Sequence, residues 1–223
     1  MNTSRNVIVV EEMLVPLESG SELQGDLVVP EHANGLVLFA HGSGSSRRSS
    51  RNRYVARLLN NIGLATLLID LLTASEEQHD LKTRALRFDI PLLTDRLVEI
   101  IDWIIVNENT EGLKIGLFGA STGAAGAINA ASRRDKWINA IVSRGGRPDL
   151  ANSEALAEVS SPTLFIVGQR DYEVIPLNKT AMAQMNCKTK LTIVPGATHL
   201  FEEEGALDKV ASEASDWFTT YLK

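Results

Sequence analysis

Apolar residues change their period near residue 35. Before that point, short β-rich runs (Val7 to Val10, Met13 to Pro16, Asp26 to Val29) are broken by Gly20 and Gly25, which predicts an antiparallel start. From Gly35 to His41 the run Gly-Leu-Val-Leu-Phe-Ala-His is continuously apolar until its end, as in a strand covered on both faces. Val55, Leu58, Leu59 and Ile62 then recur at helical spacing, predicting a helix from Asn52 to Asn61 that Gly63 stops. The alternation continues with strand 64–69, a helix over about 92–106, strand 113–118 and a small-residue helix from Ser121 to about Arg133. It closes with strands 140–142 and 163–167, a helix near 177–185, strand 191–194 and a helix over 206–221. Apolar strands alternating with helices predict an α/β fold with a mostly parallel, doubly wound sheet. The segment Glu76-Glu77-Gln78-His79-Asp80 reads as an acidic loop.

Between the strand at 140–142 and the one at 163 only about twenty residues remain, too few for a cap domain and enough for one short helix. With 223 residues, 44% of them hydrophobic, the chain is expected to fold as a single domain over 1–223. A net charge of −6 disfavours nucleic acid or an anionic membrane as partner, since both repel an acidic protein. A small-molecule substrate is the expected partner, and the sequence leaves the oligomeric state open. Residues 1–5 do not open a signal-peptide core and no apolar run is long enough to span a membrane, so a cytoplasmic location is expected. The single Cys187 and four scattered histidines give no metal-ligand spacing; neither metal nor cofactor is expected.

In a doubly wound sheet chemistry gathers at the carboxyl ends of the strands. Those ends deliver His41-Gly42-Ser43-Gly44, Gly119-Ala120-Ser121-Thr122-Gly123, Gly168-Gln169-Arg170-Asp171 and Pro195-Gly196-Ala197-Thr198-His199. Gly-x-Ser-x-Gly between a strand and a helix is the context of a nucleophile elbow, whose flanking positions must be small because the serine is lifted on a tight turn. A serine hydroxyl is a weak nucleophile and needs a base and a group to orient that base. The chain order serine, acid, histidine assigns Ser121 as nucleophile, Asp171 as acid and His199 as base. Glu173 and Asp149 are rivals for the acid. Thr122 and Ser43 backbone N–H groups are the expected oxyanion donors, with Gly44 the alternative.

These elements together resemble the α/β-hydrolase superfamily over the whole chain, and more narrowly bacterial dienelactone-hydrolase-like proteins. The narrower likeness rests on His41-Gly-Ser-Gly-Ser-Ser-Arg through Asn52-Arg-Tyr-Val-Ala, Leu68 to Thr73, Arg87 to Leu93, and Ser143-Arg-Gly-Gly-Arg-Pro-Asp-Leu150. The resemblance implies hydrolysis of a small carboxylic ester, thioester or lactone through an acyl-enzyme. It also implies occasional fusion to a phosphoribosyltransferase domain, which this sequence is expected to lack. One position departs from the pattern: dienelactone hydrolases carry cysteine at the elbow, where this chain has Ser121. Cys187 reads as a packing residue or an idle thiol.

A second reading comes from the charge around the first loop. Gly42-Ser-Gly-Ser-Ser ahead of a helix, with Arg47, Arg48, Arg51 and Arg53, has the composition of an anion-binding module on a degenerate hydrolase fold. Gly44, Arg47 and Arg144 are the candidate substrate-binding residues, and Arg147 either joins them or braces its loop.

Overall fold

The computed structural model describes residues 7–223, with side chains from residue 12 onward. The run that alternates apolar and polar residues at the start becomes two long strands, β1 (Val7–Pro16) and β2 (Glu22–Pro30), paired antiparallel. The two short runs expected at 7–10 and 13–16 are one strand, with the register shifting between Val10 and Met13. Glu12 at φ 38° marks this bulge, which interrupts the period in sequence without ending the ladder.

β2 pairs antiparallel with β4 (Ala65–Ile69), and from there the sheet is parallel: β3 (Gly35–Ala40), β5 (Lys114–Ala120), β6 (Ile138–Arg144), β7 (Thr163–Gly168) and β8 (Thr189–Val194). The order across the sheet is β1-β2-β4-β3-β5-β6-β7-β8. β3, apolar at every position, shows why the central strands carry no polar alternation. Leu36, Leu38 and Ala40 pack on one face with α3 (Ile90–Val106) and α4 (Thr122–Arg133). Val37 and Phe39 pack on the other with α1 (Ser50–Asn61) and α7 (Ala206–Leu222). Side chains alternate between faces, so a strand covered by helices on both sides has no polar position to offer.

The acidic segment expected as a loop is helix α2 (Ala74–Thr83). Thr73 and Glu76 form a reciprocal capping box at its start, and Asp80 is its only buried residue. A helix with almost no buried face leaves little apolar period to read, and its evidence was the cap. Asp80 accepts from Arg87 Nε (2.6 Å) and from the Leu86 and Arg87 N–H groups (2.8 and 3.1 Å), pinning the turn into α3. Between β6 and β7 lie a single 3-10 turn and α5 (Ser153–Glu158), with no cap domain. α6 (Val174–Met182) follows β7. Among the described residues no helix is long and apolar enough to cross a membrane.

Candidate active site

Ser121 stands between β5 and α4 with φ 50° and ψ −123°, a conformation a residue with a Cβ rarely adopts. The glycines around it are explained by what would occupy their missing side chains. A Cβ on Gly119 would lie 2.5 Å from Ala124 Cα, and one on Gly123 would lie 2.2 Å from the Ala40 carbonyl oxygen. Strand, turn and helix are thus pressed together around the serine, as the sequence spacing requires. A Cβ on Gly42 would sit 2.9 Å from Ser121 Cβ, so the loop after β3 also touches the elbow.

Asp171 and His199 come from loops after β7 and β8. His199 Nδ1 is hydrogen-bonded to Asp171 Oδ2 at 2.6 Å; the aspartate is nearly buried and the imidazole more than a third exposed. Rivals for the acid are elsewhere: Asp149 forms a two-point ion pair with Arg147 (2.8 and 2.7 Å), and Glu173 is exposed. Several backbone contacts hold the histidine loop. Arg170 N–H donates to the Ala197 carbonyl (2.8 Å), Thr198 N–H donates to both Glu203 carboxylate oxygens (3.1 Å each), and Phe201, at φ 57°, is buried. The hydrogen bond from Thr198 holds the Glu203 carboxyl below its ordinary pKa.

Gly145 joins the two halves. A Cβ there would lie 3.1 Å from the His199 carbonyl oxygen and 3.5 Å from its Cε1. On its other side Ser121 N–H donates to the Arg144 carbonyl (3.3 Å) and Arg147 N–H donates to the Ser121 carbonyl (3.0 Å). His199 and Ser121 share no hydrogen bond in this structure. Contacts of this kind are often long before substrate arrives.

The loop after β3 is fixed by His41. Its Nε2 accepts from Leu71 N–H (3.1 Å), so Nδ1 carries the proton and donates to the Gly42 carbonyl (3.0 Å). Desolvation pushes the His41 pKa down, against the hydrogen bond to Gly42 and the charge of Asp70, which favours this neutral form. The oxyanion expectation needs a qualification. Ser43 N–H already donates to Thr122 Oγ1 at 2.9 Å, whereas the N–H groups of Thr122 and Gly44 have no acceptor among the described residues. Sequence reasoning counted backbone donors and had no means to see that the Thr122 side chain claims one of them.

The arginines divide sharply. Arg47, expected at a substrate, is buried and held by Asp70, Asp26 and Glu12. Arg48 pairs with Glu12, Arg53 with Asp26 and Arg51 with Glu202. The charge of Arg47, Arg48 and Arg53 is met by carboxylates distant in sequence, which corrects the picture of a free basic cradle and of Arg47 as a substrate ligand, while Arg51 reaches an exposed carboxylate through one nitrogen and keeps a buried Nε without an acceptor among the described residues. Arg147 braces its own loop through Asp149. Arg144 is buried and forms no ion pair among the described residues. A cavity of about 370 Å³, lined by Gly42, Ser43, Gly44, Ser49, Arg51 and Leu93 among others, opens beside the β3 loop. Cys187 is half-buried against the core, with Sγ 4.0 Å from Thr163 Oγ1, and burial pushes its thiol pKa up. Among the described residues no group of three or more metal-ligating side chains converges.

A family model described as an alpha/beta hydrolase domain matches residues 33–218. A solved dienelactone hydrolase from Anabaena variabilis is 55% identical, with a TM-score of 0.93 over 95% of this chain and 97% of that one. Est1E from Butyrivibrio proteoclasticus, at 17% identity and a TM-score of 0.78 over 94% of this chain and 98% of that one, shows the fold alone. Two curated relatives from Mycobacterium tuberculosis strains are 54% identical over 198 residues, 89% of this chain, and carry the provisional name phosphoribosyl transferase. This chain spans 44% of their length.

Proposed function

The chain belongs to the alpha/beta hydrolase family, and from that premise we propose that it is a serine hydrolase acting on a small carboxylic ester, thioester or lactone. The observation that carries the reading is Ser121 on its strained turn together with an imidazole clamped by Asp171 at 2.6 Å and lying against Gly145, the residue after the carbonyl that accepts the Ser121 N–H. In this reading Asp171 holds the His199 Nδ1–H, which leaves Nε2 as the base. His199 takes the Ser121 proton as Oγ attacks the carbonyl carbon, and the oxyanion is received by backbone N–H groups. His199 returns the proton to the leaving oxygen or sulfur, and water, activated the same way, releases the acid and regenerates the serine.

Thr122 N–H, at the start of α4 and without another acceptor, is the first donor. The second is Gly44 N–H, or Ser43 N–H once Thr122 Oγ1 yields it. The lack of a cap over residues 145–162 favours accessible, short acyl groups over long lipid chains. The lactone end of the range is supported by the name of the 55% identical Anabaena relative. The transferase named for the mycobacterial relatives is a different chemistry, and the aligned portion is less than half of those proteins.

The test is intact-mass detection of a fluorophosphonate adduct with peptide mapping. A one-to-one adduct on Ser121 that is lost in His199→Ala is the expected result. No adduct on the folded protein, or more than about a tenth of esterase turnover retained by Ser121→Ala, refutes the assignment.

A further inference from the structure

Arg144 is the one buried arginine among the described residues that forms no ion pair with them. It is 8% exposed, and its Nε is enclosed with no hydrogen-bond acceptor among the described residues. Nη2 donates to Asn52 Oδ1 at 3.3 Å, and the guanidinium stands 5.9 Å from the centroid of the Phe201 ring. Neither partner carries a negative charge. The charged side chain that acts on it is Arg51, whose own Nε is also enclosed without an acceptor and whose Nη1 reaches the exposed Glu202 at 3.1 Å. Burial, and then the like charge of Arg51, bring the Arg144 pKa down to about 10, still high enough to keep the cation at neutral pH.

Both arginines meet at the start of α1, a helix of 12 residues. Ser49 caps it by accepting from Asn52 N–H (3.4 Å), and the Ser50 and Arg51 N–H groups of the first turn have no acceptor among the described residues. A helix N-terminus favours negative charge, and a desolvated guanidinium without a counter-ion is costly. The corner therefore has the makings of an anion site from three independent sources: backbone dipole, a buried cation and a second cation at its edge.

The same corner adjoins the candidate nucleophile. The Arg144 carbonyl accepts the Ser121 N–H at 3.3 Å, and Phe201 lies two residues past His199. Ser49, Ser50 and Arg51 line the cavity that also takes in Gly42, Ser43 and Gly44, together with Asp70, Glu77 and Asp80, of which Asp70 is paired with Arg47 and Asp80 with Arg87. We propose that Arg144, Arg51 and the first turn of α1 form a subsite for an anionic oxygen group, a carboxylate or a phosphate, carried by the substrate whose acyl carbon Ser121 attacks. The proposal rests on the hydrolase reading and narrows its substrate class.

The kinetic test compares p-nitrophenyl acetate with mono-p-nitrophenyl succinate, which carries a free carboxylate. The anionic-to-neutral ratio of kcat/KM is expected to fall at least tenfold in Arg144→Met and severalfold in Arg51→Gln, with Arg144→Lys recovering part of the loss. Arg51→Gln is the second variant because its side chain is partly exposed and its loss leaves β6 intact. Thermal midpoints of the Ser121→Ala protein provide a readout without turnover: sodium succinate or inorganic phosphate is expected to raise the midpoint above sodium chloride of equal ionic strength, and Arg144→Met in that background is expected to remove the rise. The larger rise tells carboxylate from phosphate. An unchanged ratio in folded variants together with no anion-specific rise overturns the subsite. Failure to cleave either ester and to form the fluorophosphonate adduct overturns the hydrolase reading, and the midpoints still decide the anion site.

Discussion

The turn at Ser121 makes a prediction about stability that is separate from chemistry. At φ 50° and ψ −123° its backbone lies where glycine is at ease and a residue with a Cβ is strained, a cost of order 1–3 kcal/mol. The Ser121 hydroxyl has no hydrogen bond among the described residues, so removing it loses little. Ser121→Ala keeps the Cβ and the strain, whereas Ser121→Gly releases the strain and gives back about 0.5–1 kcal/mol to the freer unfolded chain. The glycine variant is therefore expected to exceed the alanine variant by about 1 kcal/mol, the difference between the middles of these ranges. For a chain of 223 residues this is roughly 2–4 °C in Tm. Urea unfolding of both proteins, followed by circular dichroism and extrapolated to water, measures the difference directly. Both variants are expected to lack turnover, so neither gains nor loses through residual chemistry. An alanine variant as stable as the glycine variant, or more stable, refutes the claim that the elbow stores backbone strain.

At Gly123 a methyl group would meet two backbone carbonyl oxygens, those of Ala40 at 2.2 Å and His41 at 2.6 Å, so Gly123→Ala is expected to cost about 3 kcal/mol or more. Gly126→Ala, facing the flexible end of Leu97 at 3.2 Å, is expected to be tolerated, and equal urea midpoints for the two variants would contradict the packing argument. Thr122→Val removes the acceptor of the part-buried Ser43 N–H and is expected to destabilise by about 1 kcal/mol, with Thr122→Ser recovering most of it. His41, whose folded pKa is lowered by burial, contributes stability that is complete above its unfolded value near 6.5 and is lost as pH falls below it. Between pH 7 and 5 the natural protein is expected to lose stability more steeply than His41→Asn; parallel profiles would place the acid sensitivity elsewhere.

Particular residues show how far the sequence could be read. The central parallel strands were legible because most of their positions are apolar, and β3 divides its residues between two helical layers; β6 and the edge strand β8 were read short, at 140–142 and 191–194, because polar residues flank their apolar runs. Helix α2 was not, because it buries only Asp80; its start was written instead in Thr73 and Glu76, a capping box that carries no apolar period. The bulge in β1 was hidden for a related reason, since one extra residue shifts the alternation and imitates a break. Among the candidate site residues, the meeting of Asp171 with His199 could be anticipated from chain order, because the fold fixes which strand ends face one another. The fate of the arginines could not. Arg47 finds Glu12 and Asp26, and Arg51 finds Glu202, partners separated by 35, 21 and 151 positions. No local pattern of charge reports which cations a distant carboxylate will neutralise.

The same long-range geometry determines how the His199 loop reaches Gly145, one residue past the carbonyl that accepts the Ser121 N–H. In the sheet, β8 is three strands from β5, so the loop after β8 must travel across the ends of β7 and β6. It can do so only where those ends present no side chain. Gly168, at the end of β7, would place a Cβ 2.5 Å from the Ala197 carbonyl oxygen and 2.6 Å from that of Thr198. Gly145, just past the end of β6, would place one 3.1 Å from the His199 carbonyl oxygen, at φ 51°, where glycine is also favoured by conformation. These two glycines let the histidine loop lie against the strand tips, where Arg170 N–H reaches the Ala197 carbonyl and Asp171 reaches the imidazole. Their role differs from that of Gly119 and Gly123, which seat the serine between β5 and α4. A side chain at 168 has backbone in its way and would lift the loop that carries His199, so the position of the imidazole depends on glycines that contribute no side chain of their own.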